Sequence, residues 1–251
     1  MIRIDRRGRI GILTLDKPRG NAIDPPLVEA LIDAARELRD DSEVRGVLLA
    51  SAHPKLFSPG LDLVSLVEFD RPAMERFMLR FAEMAWALYA LPKPLVAAVS
   101  GHAIAGGCIL ALTADWRLLA RGAQIGLNEV KVGVPLPWSV AVLLKASAPP
   151  QALSRVALLG RNFADEEALA AGLADELAAG DGLRAASLAR LEEFAEKDPA
   201  AFAGIKSYLR EATLASMRAE EAARLGVWLD AWFSEATQTR IRATVSAFTK
   251  K

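Results

Sequence analysis

The sequence is poor in the side chains that build disulfides, metal centres and many nucleophilic sites. Its 251 residues include one cysteine, Cys108, and two histidines, His53 and His102. These numbers exclude a disulfide framework and a zinc site built from several Cys or His ligands. The side-chain repertoire for nucleophilic and metal chemistry is therefore narrow.

The chain also lacks an excess of charge and a long apolar run. Lys plus Arg number 31 and Asp plus Glu number 31, so no basic surplus is available to neutralise a nucleic acid backbone. No stretch reaches the roughly 18 to 20 apolar residues that a membrane-spanning helix requires. Residues 1–9 are polar and rich in arginine, without the apolar core of a secretion signal. We therefore expect a cytoplasmic protein that binds neither nucleic acid nor membrane.

What the sequence does contain is apolar residues in the patterns of both strands and helices. Hydrophobic residues make up 52% of the chain, which is enough for a substantial core. Alternation over 10–14 and the short apolar runs 46–50, 94–99 and 116–120 predict strands. Beyond Pro137 the pattern is mostly helical. We therefore predict an α/β first part and an all-α last part, with a boundary near residue 195.

Two helix starts are marked by an aspartate followed closely by proline. Asp24 precedes Pro25 and Pro26, and Asp70 precedes Pro72, which is typical of a capped first turn. Apolar residues at helical spacing over 74–88 predict that the second of these helices buries one face. This face is interpreted as core packing, with a substrate wall as the alternative.

Several familiar catalytic motifs are missing. The chain has no GxSxG sequence, which argues against a serine hydrolase. The glycine-rich segment 101–107, GHAIAGG, is neither a GxGxxG nor a P-loop sequence. Cys108 lies in an apolar helical run, where a cysteine is typically a small buried hydrophobe, and His102 is interpreted as a turn residue with satisfied hydrogen bonds.

Two glycine-containing turns and one carboxylate remain. Residues 57–63, FSPGLDL, lead from a strand region toward a helix, and the Gly106-Gly107 pair opens another helix. Both turns can expose backbone N–H groups to a developing negative charge, which is the physics of an oxyanion hole. Glu129 lies in the mostly apolar segment 125–135, IGLNEVKVGVP, so we expect desolvation to raise its pKa toward that of a useful base.

Together these segments resemble the crotonase superfamily, the enoyl-CoA hydratase/isomerase family, over most of the chain. FSPGLDL is similar to the first oxyanion-hole segment of the family, and GHAIAGGCILALTADWRLLA, 101–120, is similar to the second. Glu129 follows at the interval that the resemblance predicts. The resemblance implies that the backbone N–H groups of Leu61 and Gly106 hold the thioester oxygen of an acyl-CoA. It also implies that Glu129 is catalytic, with no metal and no cofactor beyond the coenzyme A of the substrate.

One position departs from the pattern of the hydratases, which resemble one another in using two glutamates. The second of these positions is occupied by Ile109, which cannot position or deprotonate water. The segments AGGC, ALTAD and IGLNE and the Pro137-Trp138 pair resemble mitochondrial-type Δ3,Δ2-enoyl-CoA isomerases, which have a single catalytic glutamate. We therefore expect conversion of a 3-enoyl-CoA to a trans-2-enoyl-CoA. Hydration, another thioester-enolate reaction, or acyl-CoA binding without catalysis remain the alternatives.

The resemblance also implies the fold and the assembly. Residues 1–195 are expected to form a spiral of β-β-α units with the acyl-CoA site, and residues 196–251 a helical oligomerisation region. A homotrimer or a dimer of trimers is expected. The apolar residues of the last helices that we assign to a subunit interface are Leu225, Val227, Trp228, Leu229, Trp232 and Phe233.

Side chains that bind the substrate are harder to predict. Trp138 either shapes the acyl pocket or packs between the core and the next helix. Asp62 and Asp115 are interpreted as structural hydrogen-bond acceptors. The cations that we consider for the CoA phosphates, against ordinary solvated charge, are Lys17, Arg19, Lys250 and Lys251.

Overall fold

The chain forms two β-sheets that are covered by helices. The structure, a computed structural model, describes the backbone of residues 1–249 and the side chains of residues 1–247 other than Arg19. The strands are β1 (Ile2–Arg7), β2 (Ile10–Leu15), β3 (Gly46–Ser51), β4 (Leu56–Ser58), β5 (Leu95–Val99), β6 (His102–Ile104), β7 (Trp116–Ala120), β8 (Gln124–Gly126), β9 (Asn162–Ala164) and β10 (Glu176–Ala178).

The helices cover both sheets and fill the carboxyl-terminal part. They are α1 (Pro18–Asn21), α2 (Pro25–Asp40), α3 (Leu63–Leu66), α4 (Arg71–Tyr89), α5 (Gly106–Leu112), α6 (Glu129–Val132), α7 (Trp138–Ser147), α8 (Asp165–Ala170), α9 (Leu183–Ala195), α10 (Pro199–Trp232) and α11 (Glu235–Thr249). A 3-10 turn at Pro150–Ala152 and a π-helical segment at Ser154–Leu158 follow α7.

From β3 to β8, successive strands alternate between the two sheets. The six-stranded sheet has the order β1-β2-β3-β5-β7-β10, and the four-stranded sheet has the order β4-β6-β8-β9. Thus β3, β5 and β7 each enter the first sheet, and the strand that follows each of them enters the second sheet before a helix returns the chain. This repetition is the predicted β-β-α spiral, and the crotonase-like fold is confirmed.

The long apolar strands were predicted correctly, and the short ones were missed. β2, β3, β5 and β7 fall on the predicted runs and are almost wholly buried, as parallel strands covered on both faces should be. β1 is charged and largely exposed at the edge of its sheet. β4, β6 and β8 have three residues each, which is too short for a periodic pattern.

The predicted helix caps are present. The carboxylate of Asp24 accepts a hydrogen bond from the N–H of Leu27 at 3.1 Å, and that of Asp70 accepts from the N–H of Ala73 at 2.8 Å. The apolar face of α4 is buried in the protein core at most of the predicted positions, and Met78 and Phe81 also line the cavity described below. Both interpretations of this face therefore apply, each to part of the helix.

The last long helix folds back onto the body of its own chain. α10 packs against α4 and α7, and Asp115 before β7 binds Lys206 at 2.6 Å and Arg210 at 2.7 Å. Asp115 also accepts a hydrogen bond from Leu95 N–H at 2.8 Å, so its structural role is confirmed. In the described part of the chain no helix, α10 included, has the length and apolarity to cross a membrane.

This packing corrects part of the interface prediction. Four of the six assigned residues have side chains at most 3% exposed within a single chain, so they cannot form a subunit contact: Leu225, Trp228, Leu229 and Trp232. Val227 is 68% exposed and Phe233 is half-buried. The prediction was wrong for the four because it treated the helix as an appendage, whereas its apolar face covers the core.

Candidate active site

The three predicted segments of the site meet at one edge of the four-stranded sheet. β4, β6 and β8 are adjacent and parallel in this sheet. Leu61 follows β4, Gly106 follows β6 and Glu129 follows β8. Because neighbouring strands lie about 4.8 Å apart, their carboxyl ends bring these residues into one region although they are far apart in sequence.

Leu61 pairs with Ile23 in a parallel β-bridge, and the N–H of Leu61 points away from Ile23. The N–H of Ile23 donates to Gly60 O, and the N–H of Asp62 donates to Ile23 O, both at 2.8 Å. Since Leu61 lies between these two bonds, its own N–H points to the opposite side. No acceptor for it occurs among the described residues, which is what an oxyanion donor requires.

Gly106 begins α5, and its N–H has no partner within the helix. The residue before it, Ala105, has φ 49° and ψ −117°. Residues other than glycine rarely adopt this backbone conformation, which costs about 1–3 kcal/mol of conformational free energy. Ala105 N–H is tied to Gly126 O at 2.8 Å, which fixes this turn against β8. Backbone strain is therefore stored directly before the second predicted oxyanion donor.

The two turns touch through their glycines. Gly60 has φ +97°, and a Cβ atom placed on it would lie 3.1 Å from the backbone nitrogen of Gly106. A Cβ atom on Gly107 would lie 2.1 Å from the carbonyl oxygen of Ser58. Only glycine at these positions allows the two backbones to approach so closely, and this approach places the turn that carries Leu61 beside the start of α5.

Glu129 is a buried carboxyl group at the first position of the one-turn helix α6. It is 9% exposed, and its Oε2 atom is buried with no hydrogen-bond partner among the described residues. Burial raises its pKa to about 7, although a hydrogen bond from its own backbone N–H opposes this shift. The predicted rise is thus present, and it has the predicted cause. A pKa near neutrality suits a group that must both accept and return a proton.

All three segments line one cavity of about 820 Å³. Its wall is mainly apolar, and its other lining residues come from the turns, α3, α4 and the two last helices. They include Ala22, Leu56, Pro59, Leu63, Val64, Met78, Phe81, Ala105, Val132, Val134, Pro137, Trp228, Trp232 and Thr244. A largely apolar cavity with a few polar groups is typical of a binding site for an organic substrate.

Ile109 lies on the same wall, one helical turn after Gly106. It lines the cavity and is 2% exposed, so the position at which the resemblance places a second glutamate is filled by a hydrocarbon side chain. The other carboxylate among the described lining residues is Asp62, which accepts hydrogen bonds from Ser65 N–H at 3.4 Å and from the ammonium of Lys17 at 3.3 Å. The structural role predicted for Asp62 is confirmed.

Lys17 is committed to internal contacts and does not present a free ammonium group. Its Nζ atom lies 2.8 Å from Asp24 and 3.3 Å from Asp62, and it donates to the carbonyl oxygen of Ala22 at 2.6 Å. The side chain is 13% exposed. Two carboxylates already pair with this charge, and the contacts of Lys17 stabilise the loop that carries Leu61. Its assignment to the CoA phosphates stays a prediction. The side chain of Arg19 and residues Lys250 and Lys251 lie outside those described.

Two tryptophans line the cavity, and neither of them is Trp138, for which we considered a role in the acyl pocket. The indole of Trp138 donates to Ser216 O at 3.2 Å, and its ring faces the guanidinium of Arg224 at 4.0 Å, so it packs on α10. Trp228 and Trp232 line the cavity instead, stacked with their centroids 5.1 Å apart. These contacts fit the packing role of Trp138, and its role in the acyl pocket stays a prediction. The pair on α10 was missed because sequence spacing does not reveal that this helix returns to the site.

Of the two residues set aside from the sequence, Cys108 has the predicted environment, whereas His102 begins β6 and does not lie in the predicted turn. Cys108 is fully buried, and burial together with the charge of Glu129 raises the pKa of its thiol. His102 accepts a hydrogen bond from Gln124 N–H at 3.0 Å through Nδ1. Neither residue is among those that line the cavity.

The fold and the site define a CoA-thioester enzyme of crotonase type, and comparison with known proteins gives the family. The profile described as enoyl-CoA hydratase/isomerase matches residues 5–250, and the chain belongs to this family. A curated relative, the carnitinyl-CoA dehydratase of Salmonella typhi, is 33% identical over 210 residues, which cover 83% of this chain and 80% of that protein.

Solved structures resemble the chain over nearly its whole length. Human mitochondrial Δ3-Δ2-enoyl-CoA isomerase superposes with a TM-score of 0.95 over 99% of this chain and 98% of that one, and its 24% identity supports the fold alone. An enoyl-CoA isomerase of Mycobacterium tuberculosis has a TM-score of 0.83 at 30% identity, over 89% of this chain and 98% of that one. The relatives therefore include both isomerases and a dehydratase.

Proposed function

We propose that the protein is a Δ3,Δ2-enoyl-CoA isomerase. Glu129 removes a proton from C2 of a 3-enoyl-CoA, the electrons move into a dienolate, and the same carboxyl returns the proton to C4. The product is the trans-2-enoyl-CoA, and no atom is gained or lost. The N–H groups of Leu61 and Gly106 donate to the thioester oxygen while it carries the negative charge. Coenzyme A belongs to the substrate, and the proposed mechanism needs no further cofactor.

The observation that carries this proposal is the isolation of the Glu129 carboxyl group in its cavity. Its pKa of about 7 suits both proton removal and proton return near neutral pH. Each oxyanion donor contributes on the order of 3 kcal/mol to the stabilisation of such a transition state. Since Ile109 is apolar and Asp62 is paired with Lys17, the chemistry that these side chains favour is a proton shuttle by one residue.

Dehydration is the second candidate, because the curated relative is named for it. Loss of water from a 3-hydroxyacyl-CoA requires removal of the C2 proton and protonation of the departing hydroxyl group. In this cavity the second task would fall to Glu129 again or to Asp62, whose carboxylate is held by Lys17. The replacement of a second carboxyl group by Ile109 favours isomerisation over dehydration or hydration.

The test is a panel of acyl-CoA substrates with different chain lengths and double-bond positions. We expect the ultraviolet absorbance of a conjugated enoyl thioester to appear from 3-enoyl-CoA, and Glu129→Gln to reduce turnover by at least about a thousandfold, as for loss of an acid–base group acting in two steps. Glu75→Gln, at an exposed position of α4, is the matched control and should keep wild-type turnover. Faster hydration of crotonyl-CoA would support the second candidate. Binding of every substrate without turnover would identify a non-catalytic homologue.

A homotrimer, or a dimer of trimers, is part of the same proposal. Ile205, Tyr208 and Leu209 occupy one face of α10 at helical spacing and are 60%, 81% and 78% exposed. An apolar face of this kind fits a contact with a second copy of the chain. Sedimentation equilibrium should give a multiple of three subunits, and Tyr208→Asp should lower it; a wild-type monomer would contradict the proposed assembly. The cytoplasmic location stays a prediction.

A further inference from the structure

The helix that carries the proposed base is too short to hold its own position. α6 consists of residues Glu129–Val132, and Asn128 before it provides no side-chain cap. A single helical turn is unstable in isolation, because few hydrogen bonds offset the cost of fixing its backbone. The orientation of Glu129 therefore depends on contacts from other parts of the chain.

One of these contacts comes from the last helix. Thr237 of α11 is 2% exposed, and its hydroxyl group donates to the carbonyl oxygen of Gly133 at 3.1 Å. Gly133 ends α6 in a left-handed conformation, with φ +107°, and the N–H groups of Gly133 and Val134 donate to Glu129 O at 3.0 and 3.2 Å. The hydroxyl of Thr237 is thus joined to the backbone of Glu129 through the turn that closes the helix.

The fit between α11 and this turn is close. A Cβ atom on Gly133 would lie 2.6 Å from the hydroxyl oxygen of Thr237 and 2.8 Å from a guanidinium nitrogen of Arg240. Thr244, further along α11, lines the cavity together with Glu129. α11 therefore both contacts the end of the catalytic helix and forms part of the cavity wall.

α11 is itself attached to the body of the protein. Gln238 donates to Trp232 O, at the end of α10, at 2.9 Å, and Arg242 pairs with Glu68, beyond α3, at 3.7 Å. Trp232 is fully buried and lines the cavity. The start of α11 is thus attached to the end of α10, whereas the exposed pair of Arg242 and Glu68 contributes little.

We propose that Thr237 is a positioning residue for the reaction, which holds the carboxyl group of Glu129 in place through its hydrogen bond to Gly133. The proposal rests on the proposed function, since it takes Glu129 to be the base. Loss of the hydroxyl group releases the end of α6, and a displacement of the base of about 1 Å is enough to slow proton transfer strongly. Substrate binding depends on the rest of the cavity wall and changes little.

The test compares three variants on the same helix. Thr237→Val removes the hydroxyl group at nearly constant shape, and Thr237→Ser retains it. Thr239→Val is the matched control, because the hydroxyl of Thr239 is exposed and donates only within α11, to Glu235 O at 2.9 Å. We expect Thr237→Val to lower kcat about tenfold with KM within about twofold of wild type. Thr237→Ser should restore kcat to within about twofold, and Thr239→Val should leave it unchanged.

Amide hydrogen exchange of the protein without substrate gives an independent readout. The amides of Gly133 and Val134 should exchange on the order of fivefold faster in Thr237→Val, with no such change in Thr237→Ser or Thr239→Val. Unchanged kcat in Thr237→Val, equal loss in Thr237→Ser, or uniformly faster exchange over the whole chain would each overturn the positioning role. If the wild-type protein does not isomerise 3-enoyl-CoA, the proposed function fails, whereas the exchange experiment still decides whether Thr237 restrains α6.

Discussion

The burial of Glu129 should make the protein less stable at the pH at which it works. Desolvation raises the pKa of this carboxyl group to about 7, so the folded protein prefers it protonated. Above that pH the folded state contains a buried anion whose Oε2 atom has no partner among the described residues. Glu129→Gln keeps the shape of the side chain and removes the charge, so it should stabilise the fold while it abolishes the proposed base.

The size and the sign of the effect follow from the two pKa values. Between about 4.5, the value for an unburied glutamate, and about 7, the folded state binds more protons than the unfolded state. Stability is therefore lost as the pH rises through this window, by about 1 kcal/mol at pH 5 and about 3 kcal/mol at pH 8. The gain from Glu129→Gln should accordingly be larger at pH 8 than at pH 5, by about 2 kcal/mol.

Urea unfolding followed by circular dichroism, at one protein concentration and at both pH values, measures this difference. Glu75→Gln is the control for a general effect of removing a glutamate, and because Glu75 is exposed its effect should stay within about 0.5 kcal/mol at either pH. If Glu129→Gln were neutral or destabilising at pH 8, or if its effect did not change between the two pH values, the carboxyl group would not carry a desolvation penalty. The explanation of its raised pKa would then be refuted.

Three further outcomes are expected. First, kcat/KM for 3-enoyl-CoA should rise about tenfold per pH unit and level off near pH 7, because the proposed base is the ionised form of Glu129; a flat profile from pH 5 to 8 would contradict this. Second, Ile109→Glu should introduce measurable hydration of crotonyl-CoA and lower isomerisation, while Ile109→Leu should do neither. Third, Trp228→Ala should cost about 3 kcal/mol of stability and raise kcat/KM for longer acyl chains relative to short ones, and an unchanged chain-length profile would remove Trp228 from the acyl pocket.

The polar parts of the site were predicted through the resemblance to the family, because each local signal is weak by itself. The segment FSPGLDL indicates the turn in which Gly60 has φ +97°. The segment AGGC indicates the glycine pair that begins α5. The apolar setting of Glu129 is visible in its flanking residues, and the cause of its raised pKa was predicted correctly. The two turns depend on a few neighbouring residues, whereas the burial of Glu129 depends on the whole cavity wall.

The cavity wall was not predictable, because it depends on where distant segments return. Trp228 and Trp232 come from a helix that begins at Pro199 and is anchored on Asp115 through Lys206. Nothing in the spacing of these tryptophans distinguishes a cavity wall from a subunit contact, and we predicted the contact. Likewise Lys17 looks like a surface cation until Asp24 and Asp62 are brought beside it. Long-range packing decides both cases.

Ile109 is the position on which the proposed choice of isomerisation over hydration depends. A second carboxyl group there would share the apolar cavity with Glu129, and repulsion between two like charges would drive their pKa values apart. With isoleucine the cavity wall is apolar at this point, and burial is the main cause that raises the pKa of Glu129. An acid with a pKa of about 7 gives up and regains its proton with similar ease near neutral pH, which a shift of a double bond requires because one group acts as base and then as acid. Under the proposed function, isoleucine at this position thus removes a means of activating water and leaves Glu129 able to move the proton.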